Sequence, residues 1–460
     1  MNPITIPNIS IPSIGMPTIG IPSVGFPSAS GGGGLSWPAG MKEHIKAWYD
    51  PKKQGMTNFD VIESYAEDFT RFMNYTNRGK AVVTPNKIII TESETNNLNI
   101  VENFNKTTND ITIKVTGVSQ EVQLFVQDFN SYRQYISKDG IYRFTDNNYQ
   151  YFGFGINKIT TGVNVVIEQL PTSILKDFSS NGNHAYLYGG KGKLNSGMGL
   201  YKVDFTSWRK SSVQTEVKPD VVKVTPNTSN YLFIQYANSV EIPSYKIKVI
   251  GLGDNVLKYQ YATENGRKEI NIVEGENELP TSIKVSNDYQ IGYRLTPGTS
   301  VFTITQIPDY PDQLCYDGKM YAVAYDMPIL TDYTVMAERT WLDTLSIDKT
   351  FISKRNTDNS VAAFLFEKIS GVKRQITVSF GINNDIEFVH GISYQSKNSY
   401  NGTIIKSGNA IDSDTLVIGG SIQNGLFKEL WTGCHGIIIV ADRSFTEEEI
   451  NWLKQNWDKI

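Results

Sequence analysis

The chain is poor in the residues that most catalytic chemistry needs, with two cysteines and four histidines in 460 residues. Cys315 and Cys434 are too few for a disulfide framework and have no metal-ligand spacing. They read as two ordinary buried thiols, with a single bridge left open. His44, His184, His390 and His435 are scattered, and neither an H-E-x-x-H nor a G-x-S-x-G motif occurs. A basic excess is also missing: 43 Lys and Arg against 47 Asp and Glu leave a net charge of −4, which points away from nucleic acid and anionic membrane surfaces as partners. No charged residue precedes Lys42, so the n-region of an export signal is lacking, and prolines at 7, 12, 17, 22 and 27 forbid a membrane-spanning helix. The first residues are therefore expected to be neither a signal peptide nor a lipid anchor, and no cofactor or metal is expected anywhere.

What the chain does have is β-forming sequence. Aromatic residues make up 12% of it, 25 of them Tyr, and Thr-, Val- and Ile-rich runs suit half-buried pleated surfaces. The length is that of several domains, so the expected fold is all-β and multi-domain.

The stretch "IPSIGMPTIGIPSVGF" (11–26) carries a proline at every fifth position and no charge. Proline fixes its own φ and pushes the residue before it into extended geometry, so Ile6, Ile11, Met16, Ile21 and Phe26 are expected to be extended. The apolar spacing alternates three and two, which neither a strand nor a polyproline helix gathers on one face. At ~3.1 Å per residue such a leader reaches on the order of 80 Å, with apolar surface on every side. It is expected to be a docking peptide that inserts into a partner or winds with copies of itself, with those five residues as its anchor points. "GGGG" (31–34) then serves as a flexible joint.

Two central stretches look like copies. "DITIKVTGVSQEV" (110–122) matches "SYKIKVIGLGDNV" (244–256), "YQYFGFGINKITTGVNVVIEQLP" (149–171) matches "DYQIGYRLTPGTSVFTITQIPDYP" (288–311), and "EDFTRF" (67–72) matches "VDFTSW" (203–208). Alternating apolar runs broken by Gly, Asn and Asp turns make each copy a small β-sandwich. Neither gathers His, Cys or acidic residues, so the pair reads as a spacer, the alternative being two binding edges. "GLGDNV" (251–256) holds a G-x-G but follows a strand and lacks the third glycine and the helix, so it reads as a turn and not a nucleotide loop.

Asp177, the Asn181-Gly182-Asn183-His184 turn, the phrase "YTVMAERTWLD" (333–343) and the ending "IIIVADRSFTEEEINWLKQ" (437–455) resemble concanavalin A-like, laminin-G-like jelly rolls. The last phrase is then a strand followed by a closing helix. Thr446 with Glu449 forms a capping box, Phe445 with Ile450 a hydrophobic staple, and "EEE" (447–449) belongs to the helix start. On a larger scale, "AWYDPKKQGMTN" (47–58), "DFSSNGNHAYLY" (177–188), "EIPSYKIKVIGL" (241–252) and "ITQIPDYPDQLCYDGKMYA" (304–322) resemble multi-domain proteins of phages of Bacteroides-type bacteria, including crAss-like phages. That resemblance implies a virion-associated head-fibre or tail-fibre protein built of β modules.

The expected organisation is a leader and glycine joint at 1–34, a connecting segment at 35–66 and a first sandwich at 67–172. The opening strands of the jelly roll follow at 173–202, a second sandwich at 203–309, and the remaining jelly roll with its C-terminal helix at 310–460. A glycoside hydrolase of jelly-roll type needs two carboxylates across a cleft, commonly as E-x-D-x-x-E, and that motif is absent. The expected function is a non-enzymatic virion protein with three expected partners: other capsid or tail proteins at the N-terminus, two further copies in a homotrimer, and a host-surface glycan. Were it instead a glycan-binding adhesin, Tyr186, Tyr188, Tyr394, Tyr400 and Asn401 are the candidate contacts. A polysaccharide depolymerase is the least favoured class.

Overall fold

The computed structural model describes residues 35–460 apart from 97, 104–109, 129–132, 145–151, 193–195, 211–213, 227–231, 237–240, 284–290, 343–347, 356–361, 372–373 and 390. The five leader residues Ile6, Ile11, Met16, Ile21 and Phe26 lie outside this range. The protein is all-β, and every strand pairing among the described residues is antiparallel.

The two copies fold alike. In the first, one sheet runs Met73–Asn74, Asn99–Asn103, Phe152–Ile156, Leu124–Asp128, Arg133–Ile136 and faces a second running Gly79–Thr84, Lys87–Ser93, Thr160–Gln169, Ile111–Thr116, Gly140–Phe144. In the second copy the order is Arg209–Lys210, Leu232–Tyr236, Ile291–Thr296, Val256–Thr263, Gly266–Ile272 against Gln214–Val217, Val221–Thr225, Phe302–Ile307, Tyr245–Ile250, Gly275–Leu279. Strand for strand the sequence of pairings is the same. Alternation supplies each core: Ile111, Ile113 and Val115 are buried in one copy, Tyr245, Ile247 and Val249 in the other. In "FGFG", Gly155 lets two strands close up, because a Cβ there would sit 2.4 Å from both the Leu98 carbonyl and the Phe125 ring.

Each copy also enters and leaves by the same joint. The buried Gln169 accepts from the Glu67 amide and donates to the Glu67 carbonyl, both at 2.8 Å. Gln306 accepts from the Lys202 and Val203 amides at 2.7 and 3.1 Å and donates to the Val203 carbonyl at 2.8 Å. The entry turns are capped by Asp68 and Asp204, which accept from the amides of Thr70 and Thr206. The amides of Phe69 and Phe205 donate to the carbonyls of Pro85 and Pro219.

The third unit is a sandwich of two eight-stranded sheets, the jelly roll that the resemblance implies. One sheet runs Gly197–Met198, Leu314–Asp317, Thr432–Ala441, Thr334–Trp341, Gly391–Ser396, Ser399–Tyr400, Thr403–Ile404. The other runs Ile174–Leu175, Ala185–Tyr188, Tyr321–Ala324, Leu416–Ile418, Lys349–Lys354, Phe364–Ser370, Arg374–Ser379, Ile382–Asp385. The segment 35–66, expected to be only a connection, contributes the eighth strand of the first sheet: Ile45–Tyr49 pairs with Thr432–Ala441, Trp48 opposite Ile439. The jelly roll is thus discontinuous, and each small sandwich is an insertion into it. The core between its sheets includes Tyr49, Tyr316, Tyr333, Phe351, Phe364 and Trp431.

The closing helix α1 (Glu447–Asn456) forms as its sequence requires, with Glu449 N donating to Thr446 Oγ1 and Thr446 N donating to Glu449 Oε2. Phe445, Ile450, Leu453 and Trp457 bury against Trp48, Met336 and Ile439 on the outer face of the first sheet. Cys315 and Cys434 are register partners on adjacent strands and form a disulfide, so the expectation of two thiols gives way to the bridge that had been left open. Antiparallel pairing places their buried side chains on one face, close enough to join. The "GLGDNV" segment is the expected turn: Gly251 and Gly253 have φ of 83° and 57°, and the carboxylate of Glu274 takes the amides of Gly251 and Leu252.

Candidate functional site

The entry turn of the jelly roll is built around Asp177. Its carboxylate accepts from the amides of Trp48, Ser179 and Asn183, each at 2.8 Å, and from Ser179 Oγ at 2.7 Å. Asn181 and Asn183 donate to the carbonyls of Ile45 and Lys46 at 2.8 and 2.7 Å. These bonds pin the turn to the first strand and set the position of His184. The Asp177 amide donates to His184 Nδ1 at 3.0 Å, so the neutral ring carries its proton on Nε2. Partial burial lowers the His184 pKa, and the nearby cations Arg143 and Lys176 push the same way against the attraction of Asp177.

His184 and Tyr186 form one wall of a cleft of about 790 Å³ between the jelly roll and the first small sandwich. Facing them are Tyr65, Asp110, Thr112 and Arg143, and Leu170, Pro171 and Ile174 supply an apolar surface. Arg143 projects from Gly140–Phe144, and its Nη2 meets Tyr186 Oη at 3.4 Å, its one hydrogen bond to protein among the described residues. The rest of its guanidinium donors are available in an open cleft. Tyr65 Oη donates to Glu63 Oε1 at 2.5 Å.

The five tyrosine and asparagine candidates do not form one site. Tyr186 reaches the cleft with its hydroxyl, but its ring is only 4% exposed. Tyr188, also buried, stacks on Tyr321 with centroids 5.2 Å apart and shares a hydrogen bond with Tyr325 Oη at 3.1 Å. Burial pushes the Tyr325 phenol up to about 12. Both tyrosines lie where the first sandwich covers the outer face of the second jelly-roll sheet, beside Leu170 and Ile141. They are packing residues in place of exposed stacking platforms. Tyr394 and Asn401 sit at the far edge of the other sheet, where Asn401 has φ 48° and its Oδ1 accepts from the Tyr394 amide at 2.9 Å. Lys454 of α1 lies 5.1 Å from the Tyr394 ring centre.

Tyr400 is buried and donates to Glu367 Oε1 at 2.8 Å. Glu367 is the centre of a network closed to solvent. It accepts from Arg339 Nε and Nη2 at 2.7 and 2.6 Å, from Trp341 Nε1 at 3.0 Å and from Ser393 Oγ at 2.8 Å. Arg339 and Glu367 come from opposite sheets, so this is a bidentate clamp across the sandwich. A second enclosed pair, Lys354 and Asp412 at 2.6 Å, is completed by the Pro328 carbonyl and the Leu330 amide. Glu429 is held by Lys368, Thr350 and Ser421. These acids are committed to structural bonds. Among the described residues no group of three or more His, Cys, Asp or Glu could hold a metal ion.

Sequence reasoning missed Arg143. The signal lay in the repeat: Arg143 pairs with Thr112, and the matching position of the second copy, paired with Lys246, is Glu278. At that position the charge is reversed, and its partner Thr112 is matched by a lysine, Lys246.

No protein-family model matches the chain, and no curated protein matches it. Solved structures that align with it include Trypanosoma rangeli sialidase in complex with sialic acid, at 9% identity and TM-score 0.25 over 84% of each chain. The same sialidase alone aligns at 10% identity and TM-score 0.25, again over 84% of each chain. Likeness at that level carries no conclusion about activity.

Proposed function

We propose that the chain is a non-enzymatic structural protein of a phage particle, of head-fibre or tail-fibre type, attached by its N-terminal leader and projecting its β modules outward. The observation that supports this most is the joint used twice: two equivalent sandwiches inserted into one jelly roll through the same glutamine clamp make an extended scaffold of fixed parts. Two further features agree with it. Glu367, Asp412 and Glu429 are each held in an ion pair, which suits a structural role for these acids. The Cys315–Cys434 bridge suits a protein that works outside a reducing cytosol. In this reading the protein is a homotrimer on the virion, the three leaders shielding one another, and it engages neither nucleic acid nor membrane.

The test is deletion of residues 2–30. The truncated protein should stay folded and soluble yet be absent from purified particles, and incorporation at the full-length level would refute leader-mediated attachment. Mass photometry of the full-length protein should give about three times 51.5 kDa; a species of 51.5 kDa alone would refute the trimer.

The cleft holding Arg143 and His184 favours a second reading, in which the same particle protein binds a host-surface glycan. Saturable hits on a glycan array support it, and a blank array removes it while leaving the structural role intact.

A further inference from the structure

We propose that the cleft between the first sandwich and the jelly roll binds a carboxylate-bearing saccharide, with Arg143 as its anion-binding residue. This rests on the glycan-binding reading and names its ligand class and place. A guanidinium offers a planar fork of donors that matches a carboxylate, and all but one of the Arg143 donors are free of protein partners among the described residues. His184, held neutral with its proton on Nε2, adds a donor on the opposite wall. Burial first, and then Arg143 and Lys176 against the attraction of Asp177, lower the His184 pKa and favour the neutral ring.

The remaining lining fits a sugar ring better than a bare inorganic anion. Ile174, half-buried beside Leu170 and Pro171, gives an apolar contact for the C–H face of a pyranose, and Thr112 offers an acceptor for a hydroxyl. At about 790 Å³ the cleft has room for more than one ring. The second copy lacks the arginine fork: Glu278 stands where Arg143 does, facing Lys246 in place of Thr112. A single site per chain is therefore expected.

The experiment is calorimetric titration of the full-length protein with trisaccharides of D-galacturonate and of D-glucuronate. Neutral galactose and glucose trisaccharides, inorganic sulfate and inorganic phosphate are the comparison arms. At least one uronate should bind at one site per chain, with the neutral sugars at least tenfold weaker. Arg143→Ala should weaken uronate binding by about ten- to a hundredfold, and Arg143→Lys should recover part of it, because a lysine keeps the charge but not the fork. Arg143 is on the surface, so both variants should fold. Thr172→Trp, at an exposed rim position, should block the cleft by bulk without touching Arg143. Failure of every uronate to bind, binding equal in Arg143→Ala, or binding of the inorganic anions alone would overturn the proposal. Neutral-sugar binding that ignores both Arg143→Ala and Thr172→Trp would overturn it too, while preserving glycan recognition at another surface.

Discussion

Removing the carboxylate of Glu367 should unfold the jelly roll or bring it close to unfolding. The side chains of Arg339 and Glu367 are 1% and 0% exposed, so Glu367→Ala leaves a guanidinium without a counter-charge in a site that water does not reach. Breaking one partner of such a buried pair costs about 3–5 kcal/mol. Trp341 Nε1, Ser393 Oγ and Tyr400 Oη lose their acceptor in the same step, and each buried donor left unpaired adds about 1–3 kcal/mol. The sum is comparable with the whole stability of an ordinary domain, about 5–15 kcal/mol. Glu367→Gln keeps an acceptor and should lose mainly the charge term, about 3–5 kcal/mol. Replacing both partners, Arg339→Met with Glu367→Leu, should cost less than Glu367→Ala alone, because no charge is then stranded. Amide hydrogen exchange suits the question, since it reads Thr334–Trp341 and Phe364–Ser370 separately from the inserted sandwiches. Protection of those two strands within about 1 kcal/mol of wild type in Glu367→Ala would refute the reasoning.

Acid should destabilise the jelly roll through His435. Burial holds its pKa at about 4, with only the Nδ1–H bond to the Gly436 carbonyl opposing the shift, whereas an unfolded histidine titrates near 6.5. The unfolded chain takes up the proton first as pH falls, so this contribution is whole above pH ~6.5 and is lost progressively down to pH ~4, about 3 kcal/mol in all. Urea midpoints across that window should fall for wild type and fall less for His435→Phe; parallel curves would exclude His435 as the cause. Thr446→Ala should cost about 1 kcal/mol by removing one half of the capping box, read as faster exchange in α1. Replacing both cysteines by serine should lower stability by about 2–5 kcal/mol, and alkylation of two thiols in unreduced, denatured protein would show that no bridge exists. Gln169→Leu should free the entry of the first sandwich while leaving the second untouched, since its clamp is Gln306; proteolysis near residues 63–68 should rise in that variant alone.

What could be read from the sequence was whatever is local or periodic. The capping box spans four residues and needs no tertiary knowledge, and the two sandwiches announce themselves through matching alternation. The strand Ile45–Tyr49 gave no such sign, because its partner lies near residue 440 and only the folded jelly roll brings them together. Residue type alone offers Tyr186 and Tyr188 both as glycan contacts and as packing or cross-strand pairs. Their burial depends on a neighbouring module that sits across the sheet, and no pattern within "HAYLY" encodes that neighbour. Glu367, in turn, looks like one more acid on an alternating strand, and its role appears only when Arg339 arrives from the opposite sheet.

The two junctions share their backbone bonds and differ in their side chains. Gln169 and Gln306 fix the chain at the same points of each insertion, so backbone geometry at the two junctions is set by the same bonds. Chemical differences must then come from side chains that the joint does not constrain. On the sandwich side Arg143 is answered by Glu278 and its cross-strand partner Thr112 by Lys246, and neither Glu278 nor Lys246 lines the cleft at the second junction, whose walls include Met56, Phe59 and Met198 on one side and Val217, Lys218 and Asp220 on the other. A donor fork binds an anion well only where neighbouring groups orient the rest of the ligand. The proposed uronate site therefore calls on both walls of the first cleft, one from the duplicated module and one from the domain it was inserted into.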